Sequence, residues 1–543
     1  MDYFYNEPAT VVDDVIDGMG RLAPITRSQN THGVRVVVDR DWKRDRVAVL
    51  SGGGAGHEPS HAGFVGRGML AGAIAGDLFT SPSVEAVLAA IRATCGDAGC
   101  LLVIKNYTGD RLNFGLAAER AANEGYTVRC VIVADDIALA DAPQPRGLAG
   151  TVLVHKIAGH LAAEGADLDT VADAAQRVCD QLCSLGIALS SCTLPGHDID
   201  RRSPELGLGI HNEPGVREVA PVDAADAMRM VLEPLVAAAD TRSGADTQWV
   251  VMLNNLGGCA TQEMGVLFEQ MLRQLPAARV ARAVVPAPLM TSLDMHGFSV
   301  TILPAHDDFV QALEAPVAAL SWPGLRTPTA VCTFEPSLSV ASTAPRGKRD
   351  ERCEQRLRAV IDTLCVARED LDALDAKSGD GDTGTTFAAG ARAIGAALDA
   401  GELATGDNPR LANEIGDLLA RDMGGSSGVL LSIFCTAAGA ALNEDADWAS
   451  ALGRGVERMQ HYGGAARGDR TLLDALLPAI DALAEGADLT EAARRARAGA
   501  DATRQMTHAN AGRAAYVRES ALRDVTDPGA EAVARVWETL AAG

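Results

Sequence analysis

No run of about 18 apolar residues crosses this 543-residue chain, and lysine and arginine nowhere gather into a basic patch. A membrane span is therefore not expected. Nor is a nucleic-acid partner, since 48 basic against 72 acidic residues leave a formal charge of −24 that repels a polyanion. The eleven cysteines are scattered from Cys95 to Cys435, and the nearest pair, Cys179 and Cys183, has no zinc-ligand partners beside it in sequence. Reduced thiols in the cytoplasm are expected. The opening stretch, MDYFYNEPATVVDDVIDGM, is acidic and lacks an apolar signal core, so secretion is not expected. No G-x-x-x-x-G-K-[ST] run is present either, which excludes a P-loop, so any ATP site must be of another type.

What is present reads as a globular chain. Hydrophobic residues make up 47% and charged residues 22%, close to soluble domains, and the length predicts roughly three or four compact units. From Val36 to about Val340, short β-branched runs alternate with helical stretches: RVAVLSGGG, CLLVIKNYTGD, TVRCVIVADD, QWVVMLNNLGG. That rhythm predicts an α/β region whose sites lie at strand ends. From Glu335 to Arg349 the sequence EPSLSVASTAPRGKR has a linker composition. Beyond it the stripes Leu357, Ile361, Leu364 and Leu411, Ile415, Leu418 predict an all-α domain. Its glycines and unusual polar residues sit in the loops AKSGDGDTGTT, DMGGSSG, HYGGAARGDRT and TDPGA.

In the first of these loops Asp375, Asp380 and Asp382 can turn toward one point, and three such carboxylates need a hard cation, with Mg²⁺ the expected ion. Because Mg²⁺ takes part of its shell from substrate phosphates, a nucleotide follows from the cluster. An Asx turn capping the next helix accounts for Asp380 and Asp382 but not for Asp375. Thr383, Gly384, Thr385 and Thr386, and the turn carrying Ser426 and Ser427, offer hydroxyls and backbone N–H groups to phosphate; alone, either is equally a flexible helix connection. In the first half, SGGGAGHEPSHAG contains a literal H-E-x-x-H at His57 and His61, but Pro59 inside it would break the helix that a zinc protease requires. Lys105 and Asp110 in IKNYTGD and His211 in GLGIHNEPG occupy similar glycine-rich turns. Each read singly is also an ordinary strand-end turn or a structural histidine.

Together these strings, with FTSPS, PRGLAGTVLVHKIAGHLAAEG, TSLDMHGFS, MGGSSGVLLS, GDRTLLDAL, AGRAAY and DPGA, resemble the dihydroxyacetone kinases over nearly the full length, in the form that fuses a sugar-binding K domain to a nucleotide-binding L domain. The resemblance implies an α/β sugar-binding region over 1–335, in two subdomains of about 1–190 and 191–335. A linker over 336–350 and an all-α helical barrel or bundle over 351–543 follow. It implies that His211 holds a short ketose as a hemiaminal, that Asp110 accepts the proton of the reacting hydroxyl, and that His57 assists. Gly54, Ala55, Gly56, Ser81 and Lys105 would shape that pocket. Asp375, Asp380 and Asp382 would hold Mg²⁺ with ATP. The nucleotide would lie against Thr383, Gly384, Thr385, Thr386, Ser426, Ser427, Gly464, Arg470, Thr471, Arg513, Asp527, Pro528 and Gly529.

Cys259 and His296 depart from the family's pattern and leave substrate size open between dihydroxyacetone and a four-carbon ketose such as erythrulose. The expected product is a ketose phosphate, made by a cytoplasmic homodimer, with a flavin-nucleotide-forming side reaction also compatible with the same metal site. Two other readings are a non-catalytic ketose sensor, which needs no aspartate cluster, and a phosphotransferase-system component, which normally keeps its K and L parts on separate chains. Thr383, where the latter type carries histidine, favours exchangeable ATP.

Overall fold

Among the described residues, thirteen short strands all fall before the linker and assemble into two sheets. The computed structural model describes residues 4–30, 33–138, 144–195, 202–336 and 349–543, and of Arg513, Ser520 and Ala521 the backbone only. Most of the expected linker thus lies outside the described residues. The chain divides into two units, Met1–Phe334 and Glu335–Gly543.

In the first unit, β1 (Ile25–Arg27), β2 (Arg35–Asp39), β3 (Ala48–Ala55), β4 (Gly72–Leu78), β5 (Cys100–Lys105) and β6 (Val128–Val133) form a sheet ordered β1-β2-β4-β3-β5-β6. β4, β3, β5 and β6 run parallel. Every residue of β3 and of β5 is buried, because helices cover both faces and leave no polar side to alternate with. The second sheet contains β7 (Cys183–Ser190), β8 (Glu205–Leu206), β9 (Arg217–Glu218), β10 (Trp249–Asn255), β11 (Val280–Ala287), β12 (His296–Pro304) and β13 (Leu325–Arg326), in the order β13-β11-β10-β12-β7-β8-β9. It is mixed, with β10 and β11 its parallel pair. β7, inside the span expected for the first subdomain, is laid into this second sheet, since Cys183, Leu185 and Ile187 pack with Val251, Leu253 and Val300.

The helices Thr151–Ala163 and Leu168–Gln181 lie between the two sheets. Val152, Ile157, Val171 and Val178 share one core with Leu101 and Val103 of the first sheet and Val250 and Met252 of the second. The two sheets are therefore faces of one body. Caps set the helix starts: Ser83, Asp167 and Asp223 each accept a backbone N–H from the first turn that follows.

No strand occurs among the described residues of the second unit, and its helices follow one another in short-loop succession from Glu351–Val366 to Pro528–Ala542. Its core is alanine-rich, with Ala475, Ala479, Ala496, Ala500, Ala530 and Ala534 allowing close helix approach. Among the described residues one helix, Gly425–Asn443, is long and apolar enough to cross a membrane by length and composition, although Ser432 and Thr436 interrupt its apolar run. It packs beside the helices Asn408–Leu418 and Trp448–Gly463.

Candidate active site

β3 carries the glycines past the end of the core. A Cβ on Gly53 would fall 2.7 Å from Lys105 Nζ and displace the lysine end, and one on Gly54 would fall 2.6 Å from the Thr80 backbone nitrogen, so close backbone approach requires glycine at Gly54. The turn after β3 presents His57, fully buried, whose Nδ1 lies 2.8 Å from the Thr291 carbonyl oxygen. A carbonyl only accepts, so Nδ1 carries the proton and Nε2, which has no partner, is a bare acceptor. Burial, then the charges of Lys105 and His211, hold the His57 pKa well below the ordinary imidazole value. The ring is neutral.

Lys105 closes β5 and is fully buried, with no hydrogen-bond partner for Nζ; burial lowers its pKa while the charges of Asp110 and Glu213 oppose that. Asp110, in the first turn of the helix Thr108–Asn123, is buried and accepts a hydrogen bond from the Ser81 hydroxyl. His211 enters from the turn after β8. Its ring sits edge-on to Tyr107, His57 and Phe79, with centroids 4.3, 4.7 and 5.7 Å away. Glu213 Oε2 accepts the His211 backbone N–H at 2.9 Å, and Oε1 lies 3.5 Å from His211 Nδ1. Burial pushes the Glu213 pKa up, but hydrogen bonds and charge from His211 outweigh it and hold the carboxyl below its ordinary value.

The expected residues of the first unit thus converge, with Ala55 buried beside them and Gly56 closed against the Phe79 ring. Three others join them that sequence reading did not single out, Tyr107, Phe79 and Glu213. Glu213 had a signal, a carboxylate two residues from His211; the two aromatics had none. The segment from His57 to His61 is not helical, so its histidines share no helix face. His61 is instead buried edge-on to His155, at 5.2 Å.

In the second unit Asp375 lies in the last turn of the helix Arg368–Ser378. Its Oδ2 accepts the N–H groups of Gly381 (3.1 Å), Asp382 (3.0 Å) and Thr383 (3.1 Å), folding the loop around a buried carboxylate. Asp380 and Asp382 are exposed, and one oxygen from each of the three lies within 4.8 Å of the others. An all-oxygen, like-charged donor set of this kind fits Mg²⁺.

These carboxylates rim a cavity of about 230 Å³ into which four helices open. The helices Thr383–Asp399, Gly425–Asn443, Leu473–Ala484 and Pro528–Ala542 each contribute first-turn residues to its wall, among them Thr383, Thr386, Ser426, Ser427, Leu473 and Gly529. First-turn residues of four helices, where the helix dipole is positive, therefore border one volume, although Thr383, Leu473 and Ala530 already give their N–H groups to Asp375, Thr471 and Asp527. Arg470 adds a full charge. It is buried at φ +60°, donates from Nη2 to the Val525 carbonyl at 2.8 Å, and has no partner at Nε or Nη1. Thr471, Asp527 and Pro528 line the same wall, and burial raises the Asp527 pKa to about 6.

Three expected nucleotide residues do not line this cavity. Thr385 turns away, its N–H and hydroxyl both donating to Asp372 at 2.8 Å. Gly384 is buried against the Arg368 backbone, and Gly464 caps the helix Trp448–Gly463 while its neighbours Gly463 and Ala465 reach the wall. Arg513 opens the short turn Arg513–Tyr516, and its side chain lies outside the described residues. The apolar part of the wall, Phe387, Leu430, Met459 and Leu472, escaped sequence reading. Phe387 and Leu430 do fall one helical turn after Thr383 and Ser426, which is the signal that could have found them.

The Dak1 domain family matches residues 18–321 and the DAK2 domain family residues 377–542. Dihydroxyacetone kinase of Citrobacter freundii is 44% identical over 99% of this chain and 99% of its own. This chain belongs to the dihydroxyacetone kinase family. Triokinase/FMN cyclase of Homo sapiens is 40% identical over 98% of each chain. Among solved structures, the C. freundii dihydroxyacetone kinase in complex with AMP-PNP and Mg²⁺ superposes with a TM-score of 0.80 at 42% identity, over 100% of this chain and 99% of that one. An α/β region followed by a helical one is thus the fold of this family member as well.

Proposed function

We propose that this protein phosphorylates the terminal hydroxyl of a short ketose with ATP. Its 1–335 region would hold the ketose, and its 351–543 region, after a linker over 336–350, would hold Mg-ATP. The observation that carries the reading is the cavity of the second unit. Three clustered carboxylates, four helix N-termini and an under-partnered buried arginine surround it, and no lysine lines it among the described residues. This is a triphosphate site that needs no P-loop. The names of the relatives agree, being kinases of dihydroxyacetone, of 3,4-dihydroxy-2-butanone and of trioses.

His211 is the covalent anchor. With Glu213 beside Nδ1, its Nε2 presents the lone pair to the ketone carbon. The C–N bond forms as the carbonyl π bond opens, the ring N–H proton leaves, and the former carbonyl oxygen gains a proton, giving a neutral hemiaminal. His57 Nε2 accepts a hydrogen bond from the bound sugar, and Lys105 supplies positive charge beside it. Asp110 takes the proton of the terminal hydroxyl as that oxygen bonds to the γ-phosphorus and ADP departs. Asp375, Asp380 and Asp382 would hold Mg²⁺, which would supply charge neutralisation to the triphosphate. Ser426, Ser427, Thr383, Thr386, Thr471 and Gly529 orient the nucleotide, and Arg470 bonds its phosphates. Polyols such as glycerol, which lack a carbonyl, are not captured.

All eleven cysteines are free thiols, which supports a reducing, cytoplasmic setting. The working form is read as a homodimer on family resemblance, a point that light scattering decides. The function is tested by ADP release with Mg-ATP and dihydroxyacetone, D- or L-erythrulose, or glycerol, together with intact mass. Turnover with a ketose but not glycerol, and an adduct mass lost in His211→Ala, is the expected result. An adduct that survives His211→Ala refutes the anchor, and no ketose-dependent ADP release refutes the kinase.

A further inference from the structure

The junction between β10 and the helix Thr261–Gln274 carries a side-chain cluster that neither the ketose nor the nucleotide site uses. Asn255, the last residue of β10, knots the following loop. Its Nδ2 donates to the Cys259 carbonyl at 2.8 Å, and its Oδ1 accepts the N–H groups of Gly257 (2.8 Å) and Cys259 (3.3 Å). The loop is laid against the start of β12, with Leu256 N–H on the Gly297 carbonyl at 3.0 Å and Gly258 N–H on the Met295 carbonyl at 2.9 Å. A Cβ on Gly258 would come 2.9 Å from His296 Cα, so only glycine lets Cys259 approach His296 this closely. Glu263 stands in the first turn of the helix. Its Oε2 accepts the Ala260 N–H at 2.6 Å, which turns Oε1 toward His296 Nε2, 2.7 Å away. The Cys259 sulfur, a Glu263 oxygen and a His296 nitrogen all lie within 4.8 Å of one another.

We propose that Cys259, Glu263 and His296 form a binding site for one Zn²⁺ ion or a closely similar first-row transition-metal ion. Thiolate, imidazole and carboxylate are the ligand types such ions take, at about 2.0–2.3 Å from the metal, which places tetrahedral donors roughly 3.5 Å apart. The donors now stand within 4.8 Å of one another, with His296 Nε2 and Glu263 Oε1 at 2.7 Å, which brackets that spacing. Sulfur and nitrogen donors disfavour Mg²⁺, so this site does not compete with the aspartate cluster. One thiolate and one carboxylate balance a divalent charge, and the imidazole stays neutral. On binding, the thiol gives its proton to solvent and gives up its contact with the Gly297 carbonyl. His296 exchanges its bond to Glu263 for the metal, carrying its remaining proton on Nδ1. The Asn255 and Ala260 bonds are the outer supports that hold the ligand backbone and the carboxylate in place.

Three protein ligands leave a fourth position open. It faces a cavity of about 460 Å³ that the same three residues help line, with Leu189, Val222, Val266 and Phe298 forming its apolar wall. That is the arrangement of a metal that carries an exchangeable water or small ligand, and a closed structural site would have a fourth protein donor instead.

The test uses full-length protein stripped of metal by chelation and dialysis, then titrated with Co²⁺ in the presence of excess Mg²⁺, which occupies the oxygen-donor sites. One Co²⁺ per chain is expected, with a thiolate-to-cobalt charge-transfer band and strong tetrahedral ligand-field bands, both removed by one equivalent of Zn²⁺. Cys259→Ser removes the charge-transfer band, and His296→Ala weakens Co²⁺ binding by at least about tenfold. Circular dichroism establishes that each variant is folded, and Glu263→Gln replaces any that is not, with the same expected weakening. Absence of the charge-transfer band in the parent protein, or its persistence in Cys259→Ser, overturns the site.

Discussion

Replacing Arg470 with methionine separates nucleotide binding from folding. Arg470 is about 1% exposed, yet of its guanidinium nitrogens only Nη2 has a partner, the Val525 carbonyl. Burial depresses its pKa and the charge of Asp527 opposes this, so without a ligand the cation is poorly compensated. Hydrogen bonds to charged groups contribute about 1.5–3 kcal/mol each, so two new bonds from Nε and Nη1 to phosphate oxygens account for about 3 kcal/mol at the low end. The nucleotide Kd of Arg470→Met should therefore rise on the order of a hundredfold. Stability of the free protein should change by no more than about 1 kcal/mol, since losing the Val525 bond is offset by removing a buried, unpaired charge. Calorimetric titration with an ATP analogue measures the first quantity and urea denaturation the second. A Kd within about threefold of the parent, or a large loss of stability, would show that Arg470 holds the fold together and leaves the phosphates alone.

Asp527→Asn should alter the pH dependence of stability. The folded pKa, about 6, lies above the ordinary carboxylate value, so between about pH 4 and 6 the folded state keeps a proton that the unfolded chain has lost. Parent stability thus falls as pH rises through that window, by up to about 3 kcal/mol relative to the variant, whose amide still accepts the Ala530 N–H. Melting curves that stay parallel from pH 4 to 7 would contradict this. Gly54→Ala places a methyl within 2.9 Å of the Phe79–Thr80 backbone, which must move and take Ser81 with it. A destabilisation of about 1–3 kcal/mol and a raised KM for the ketose are expected, checked by melting and by initial rates. An unchanged KM would detach this loop from the sugar.

The α/β rhythm of the first region and the helical stripes of the second were legible because burial on one or two faces imposes a period on any chain, as in CLLVIK of β5. The aspartate loop was legible for a different reason: three carboxylates so close together need a cation, and that requirement belongs to the residues themselves. Membership of β7 in the second sheet was not legible. A short buried strand reads alike in either sheet, and its place depends on which core it completes.

The site divides in the same way. Sequence alone marked His57, Asp110 and His211 as polar residues in glycine-rich turns, and it separated the strand-bearing region from the helical one. Only the tertiary structure decided that those turns meet, because His211 comes to His57 across chain that local periodicity cannot fold. It also turned Thr385 onto Asp372, out of the nucleotide cavity, since one step along a helix changes the face a residue presents. And it brought Cys259, Glu263 and His296 together, where no spacing motif connects them, because a sheet aligns residues by register and not by their order in the chain.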